Sequence, residues 1–112
     1  MGQSVSEYRE AIQAAARDAI QEPFTGPIQM EVKVLIGAPQ SVRAPSGSWR
    51  KGARRHPVGS RDGDVDNYFK LVADALHDIA YVNDSQIVRA VVSKEWCGDS
   101  AEGCLVSIAS VQ

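Results

Sequence analysis

With 112 residues, 23% of them charged and 44% hydrophobic, the chain has the size of one small domain, 1–112, with room for a single hydrophobic core. No apolar run approaches the roughly 18–20 residues of a membrane span. Residues 1–13 lack the basic start and apolar run of a signal peptide, so a cytoplasmic location is expected. The net charge of −2 conceals an asymmetry: residues 32–61 contain no acid, yet seven of the twelve basic side chains fall there.

In chain order, Ser4 and Glu7 fit a capping box. Val5, Tyr8, Ile12, Ala15, Ala16, Ala19 and Ile20 recur at helical spacing, so a first amphipathic helix is expected over about residues 5–21, ended before Pro23. After the Gly26-Pro27 turn, Ile28, Met30, Val32, Val34 and Ile36 alternate with Gln29, Glu31 and Lys33. Period two means a strand with one buried face.

Regular patterning then stops from Gly37 to Gly63, where Pro39, Pro45, Gly47, Gly52, Pro57 and Gly59 interrupt any element. Loops this long in small domains tend to be functional or disordered. Lys33, Arg43, Arg50, Lys51, Arg54, Arg55 and Arg61 make the tract basic, which suits either a polyanion-binding surface or a solvated loop. Trp49, beside Arg50 and Lys51, suits either an aromatic surface for a base or sugar or an anchor onto the core. The anchor is the commoner role. His56 in this tract is placed to touch phosphate.

Asp66 or Asn67 is expected to cap a second helix reaching residues 76–78, with Phe69, Val72, Ala73, Leu76 and Ile79 on its apolar face. His77 is expected at the surface. Residues 81–85 read as a turn, residues 87–96 as a second strand and residues 104–111 as a third, the last two forming a hairpin. Cys97 and Cys104 are expected as free thiols, and two sulfurs alone do not make a zinc site. The fold class is therefore α+β, a small sheet of about three strands packed with two helices in the order α-β-(long basic loop, about 39–63)-α-β-β.

Within the acidic segment, Asp66, Lys70, Asp74 and Asp78 are four residues apart and share one helical stripe. A ladder of surface ion pairs, each giving roughly 0.2–0.5 kcal/mol, would explain them. So would convergence on a hard divalent cation, since carboxylates brought together raise one another's pKa unless something positive intervenes. Asp64 points toward the same region as Asp66. Asp84, in the turn, joins them if it meets the stripe near its middle or if the following strand runs back. The helix rises about 15 Å from Asp66 to Leu76 at 1.5 Å per residue. Spacing alone leaves both explanations open.

The residues Gly63-Asp64-Val65-Asp66-Asn67-Tyr68-Phe69-Lys70, then Asp74-Ala75-Leu76, then Asn83-Asp84-Ser85-Gln86, together with the basic, Trp-containing segment before them, resemble the RusA-like Holliday-junction resolvases of bacteria and their phages. The resemblance covers about residues 4–112, with the D-x-D-N-x-x-K, D-A-L and D-D-S-Q spacings all in agreement. It implies a Mg²⁺-dependent endonuclease, with Mn²⁺ as the alternative ion, acting as a homodimer on branched four-way DNA in a bacterial cell and encoded by the cell or a phage.

Asp64, Asp66 and Asp84 match that family's catalytic, metal-binding carboxylates, and Lys70 matches its catalytic lysine. Asp74 is placed to orient Lys70, with Asn67 and Asn83 supporting the ligands. Arg43, Trp49, Arg50, Lys51, Arg54, Arg55 and Arg61 would hold DNA, mostly through phosphates. Asp62 and Asp78 are left as surface residues. Asn83 stands where the family usually has Asp, which lowers the local charge, and the chain starts almost at the first helix, where the family usually has a preceding strand. A DNA-binding protein on the same scaffold that no longer cleaves is the alternative reading. A small structural phage protein whose acids form surface ion pairs is a third.

Overall fold

The computed structural model describes residues 5–39, 42–44, 46, 48–59, 62–97 and 102–112. Its elements are α1 (Val5–Ala19), β1 (Ile28–Ile36), α2 (Val65–Leu76), β2 (Ile87–Trp96) and β3 (Gly103–Ser110). The α+β class and the α-β-α-β-β order are as the sequence pattern predicts. The Ser4 cap expected for α1 lies outside the described residues.

β1 is the centre of the sheet, in the order β2-β1-β3. It pairs in parallel with β2, Val32 opposite Val92, and antiparallel with β3, Val32 opposite Val106. The expected β2–β3 hairpin is therefore corrected: the two strands do run in opposite directions, but β1 lies between them. Both begin or end at the same edge of the sheet, with Trp96 opposite Ile36 and Gly103 opposite Leu35. β1 takes the centre because its inward side chains are the most consistently apolar, and Ile28, Met30, Val32 and Val34 are all buried.

Those side chains meet Ala16 from α1 and Val72 and Leu76 from α2, with Ala80 and Tyr81 closing the core. Burying a side chain of Val or Ile size contributes roughly 1.5–3 kcal/mol, so this face orients the sheet against both helices. Tyr81 is fully buried and its hydroxyl donates to the Ala73 carbonyl at 2.6 Å, which joins the turn after α2 to the helix itself.

The long loop is more ordered than its composition suggests. Val42 and Pro57 are fully buried. Arg43 and Trp49 form an antiparallel bridge, closed by Arg50 N–H to the Val42 carbonyl at 2.9 Å. No helix among the described residues is long and apolar enough to cross a membrane.

Candidate active site

The chain enters α2 through a tight turn. Gly63 adopts φ +81°, a conformation natural to glycine, and a Cβ there would lie 2.7 Å from Tyr68 Cε2. Tyr68 donates to the Asp62 carbonyl at 2.9 Å, and the Lys94 ammonium donates to the Gly63 carbonyl at 2.6 Å. Lys94 comes from β2, which runs back along α2 and so places its last residues beside the start of the helix. Lys94 carried no signal in the sequence, being one of two cations in β2 and flanked there by Ser93 and Glu95.

Asp64, one position before the helix, is the N-cap, with extended φ −108° and ψ 143°. The cap expected at Asp66 or Asn67 is thus corrected: both lie inside the first turn. Asp64 makes no side-chain capping bond, so its carboxylate is not spent on the helix. Asp66 sits in the first turn, where the helix dipole favours a negative charge.

Asp62 is a second correction. It is buried, accepts from the Gly59 N–H at 2.8 Å and faces Arg54 Nε at 3.7 Å, so it is a structural residue of the loop. Asp78 is exposed as expected. It lies beyond the end of α2 in a left-handed conformation, φ 69°, so the acidic stripe ends at Asp74. Its partner is His77, at 3.3 Å.

Further along α2, Lys70 and Asp74 face Asp84 across a cleft of about 480 Å³ floored by Phe69, Ala73 and Ile87. Asp84 therefore meets the stripe near its middle. Arg89, also unremarked in the sequence, contributes a second cation from β2. Asp84 and Asp74 lie close enough to the Tyr81 hydroxyl to help raise its pKa, after burial, which is the larger cause. Among the described residues, Lys70 forms no ion pair with Asp66 or Asp74. The surface ladder that spacing allows is not built.

The carboxylates are thus spread along α2. Asp64 and Asp66 occupy its start, while Asp74 and Asp84 line the cleft about 12 Å further on at 1.5 Å rise per residue. Among the described residues no three His, Cys, Asp or Glu side chains stand together to hold an ion. Asp64, Asp66 and Asp84 are not brought to one point. Hard oxygen donors of this kind still suit Mg²⁺, which takes one or two carboxylates with water and phosphate.

Asn83 supports the turn that carries Asp84. Its Oδ1 accepts from the Ser85 N–H at 2.9 Å, capping the short 3₁₀ turn Asp84–Gln86. Asn67 is exposed on the first turn of α2.

The basic loop abuts the start of α2. Trp96 donates its indole N–H to the Arg54 carbonyl at 3.1 Å, and the Arg54 guanidinium stacks 5.4 Å from the Trp96 ring. Arg54 reaches Asp62 and so ties this contact to the residue two before Asp64. Trp49 is partly exposed rather than a core anchor, and Arg43 and Arg55 lie 4.8 and 5.0 Å from its ring centroid. Arg50, Lys51 and His56 are exposed in the same loop. Arg61 lies outside the described residues.

The family model of endodeoxyribonuclease RusA matches residues 1–108. The chain belongs to the endodeoxyribonuclease RusA family. It is also similar to YqaN, an uncharacterized protein of Bacillus subtilis (strain 168), with 41% identity over 71 residues that cover 63% of this chain and 50% of YqaN. The match thus spans about half the length of that curated relative. No solved structure matches the chain.

Proposed function

We propose that this protein is a structure-selective DNA endonuclease that resolves four-way junctions by paired phosphodiester hydrolysis, acting as a homodimer with Mg²⁺ in the bacterial cytoplasm. The observation that carries the reading is Lys70, without an ion-pair partner among the described residues, set between Asp66 and Asp74 on a cleft shared with Asp84, in a chain of the RusA family. An ammonium left without a carboxylate partner is available to phosphate, and it can stabilise the charge that builds on the scissile group in the transition state. Mg²⁺, when bound, supplies Lewis-acid polarisation of that phosphate. Arg50, Lys51 and Arg55 hold backbone phosphates on either side, which positions the strand without reading its sequence. Paired cuts need two sites, hence the homodimer.

The test is cleavage of a synthetic four-way junction by the purified protein with Mg²⁺. Paired, symmetric cuts are expected, with Asp66→Asn abolishing cutting while binding persists. Junctions left intact by the wild type across a range of Mg²⁺ and Mn²⁺ concentrations refute the reading.

A second reading is favoured by one observation, the separation of Asp64 and Asp66 from Asp84. On that reading the protein binds junctions or duplex without cleaving. Binding that ignores metal, weakens steeply with salt and is never accompanied by nicks selects it.

A further inference from the structure

Asp84 has no secondary structure beneath it beyond a single 3₁₀ turn, yet it must hold one position to act in the cleft. The residues around it divide this work unequally. Asn83 spends its side chain on the Ser85 N–H. Gln86 spends its side chain completely. Its Oε1 accepts from the Val82 and Asn83 N–H groups, both at 2.9 Å, and its Nε2 donates to the Phe24 carbonyl at 2.8 Å and the Gly26 carbonyl at 3.0 Å. A carboxamide offers two donors and two lone pairs, and here all four are used. Two of the bonds close the turn on itself. The other two fasten it to the segment between α1 and β1, sixty or more positions away in sequence. The Phe24 N–H adds a backbone bond to the Ala80 carbonyl at 2.7 Å, so the turn is held along its length. Asp84 lies inside this frame, and its carboxylate lines the cleft beside the Tyr81 hydroxyl.

We infer that Gln86 is the positioning residue for Asp84, holding the carboxylate at the cleft by tying its turn to the α1–β1 connection. The inference rests on the nuclease reading. Misplacing a reacting group by about 1 Å can cost on the order of 100-fold in rate, and a turn cut loose from its anchor has that freedom. The polar groups of Gln86 are all taken up within the protein, so on this inference DNA binding does not depend on it.

Gln86→Ala tests this in three measurements: single-turnover cutting of a four-way junction, junction affinity, and amide hydrogen exchange. The expected result is a roughly 100-fold slower cutting step with affinity unchanged. Exchange should be faster at Val82, Asn83 and Ser85 and unchanged at Val72 and Leu76 in the helix core. Should Gln86→Ala not fold, Gln86→Glu carries the same test, because it keeps the accepted bonds and sets a carboxylate against two carbonyls. A cutting rate near wild type overturns the inference, as does unchanged exchange in the turn. A loss matched by weaker DNA binding and faster helix-core exchange also overturns it, because that is general loosening. A wild-type protein that binds but never cuts fails earlier and brings down the nuclease reading itself.

Discussion

Replacing Asp62 with alanine should lower the melting temperature by about 8 °C, although by charge and position it looks like one more surface acid. Its carboxylate is buried and accepts a 2.8 Å bond from the Gly59 N–H. Deleting an ionised partner of a hydrogen bond costs about 1.5–3 kcal/mol, much of it from the donor left behind. The Arg54 contact at 3.7 Å adds only a few tenths, because that side chain is 39% exposed and its pair is screened by solvent. The total is about 2 kcal/mol. An unfolding entropy of about 2.1 cal/mol/K per residue converts this to about 8 °C for a chain of 112 residues. Asp62→Asn keeps an acceptor for Gly59 and should cost about half as much. The assay is a calorimetric melt of the three proteins in one buffer, repeated in high salt. The loss should persist there, since screening weakens the Arg54 pair and leaves the Gly59 bond intact. A shift below about 2 °C, the range of ordinary surface changes near 0.5 kcal/mol, refutes the assignment of Asp62 to the loop's framework.

Lys70→Ala should reduce single-turnover cutting by roughly 100- to 1000-fold, the scale of losing one charge-stabilising group, with junction affinity nearly unchanged. An equal loss in binding would make Lys70 a phosphate anchor. Trp49→Ala removes two stacked guanidinium contacts, each of about 0.5–1 kcal/mol. It should weaken binding of junctions of any sequence alike, as fluorescence anisotropy can measure. In alkali, burial raises the pKa of Tyr81 above the usual tyrosine value of 10. Its contribution to stability is therefore full below about pH 10 and is lost as pH rises through the raised folded value, by up to about 1.4 kcal/mol per pH unit. Denaturant melts between pH 9 and 11.5 check the sign, and Tyr81→Phe should flatten the decline. Asn83→Asp keeps the Ser85 cap, because the two residues cap equally well. Stability should hold, while half-saturating Mg²⁺ for cutting falls roughly threefold from the added charge; unchanged Mg²⁺ dependence would mean that position 83 serves the turn alone.

The elements were legible where one period dominated. β1 alternates without a fault, and its four inward residues are all buried. Strand order was not legible, because a hairpin and a β2-β1-β3 sheet both require β2 and β3 to run in opposite directions. Only the competition for the central position separates them. Asp62 was misjudged for a related reason. Its carboxylate is taken up by the Gly59 N–H in an irregular turn of the loop, and no periodic pattern marks such a bond. Spacing left the place of Asp84 open, and the structure sets it on the same cleft as Lys70 and Asp74, near the middle of the stripe. Gln86 was quoted as part of a motif, yet its role needed the α1–β1 segment in space.

The acidic run from Asp62 to Asp84 thus separates by where each carboxylate spends its lone pairs. Asp62 gives them to a backbone N–H and lies inside. Asp78 faces the neighbouring His77 in a left-handed turn past the helix. Asp64 holds the cap position without making the cap bond, and Asp66 and Asp74 flank a lysine four residues away without pairing to it. A stripe evolved for helix stability would close those pairs, since each contributes a few tenths of a kcal/mol and the geometry permits it. Leaving Lys70 and its neighbours open forgoes about 1 kcal/mol at most, a small cost for a domain of this size. What it keeps is a lysine and several carboxylates that form no ion pair with one another among the described residues, the groups on which the proposed phosphate chemistry rests.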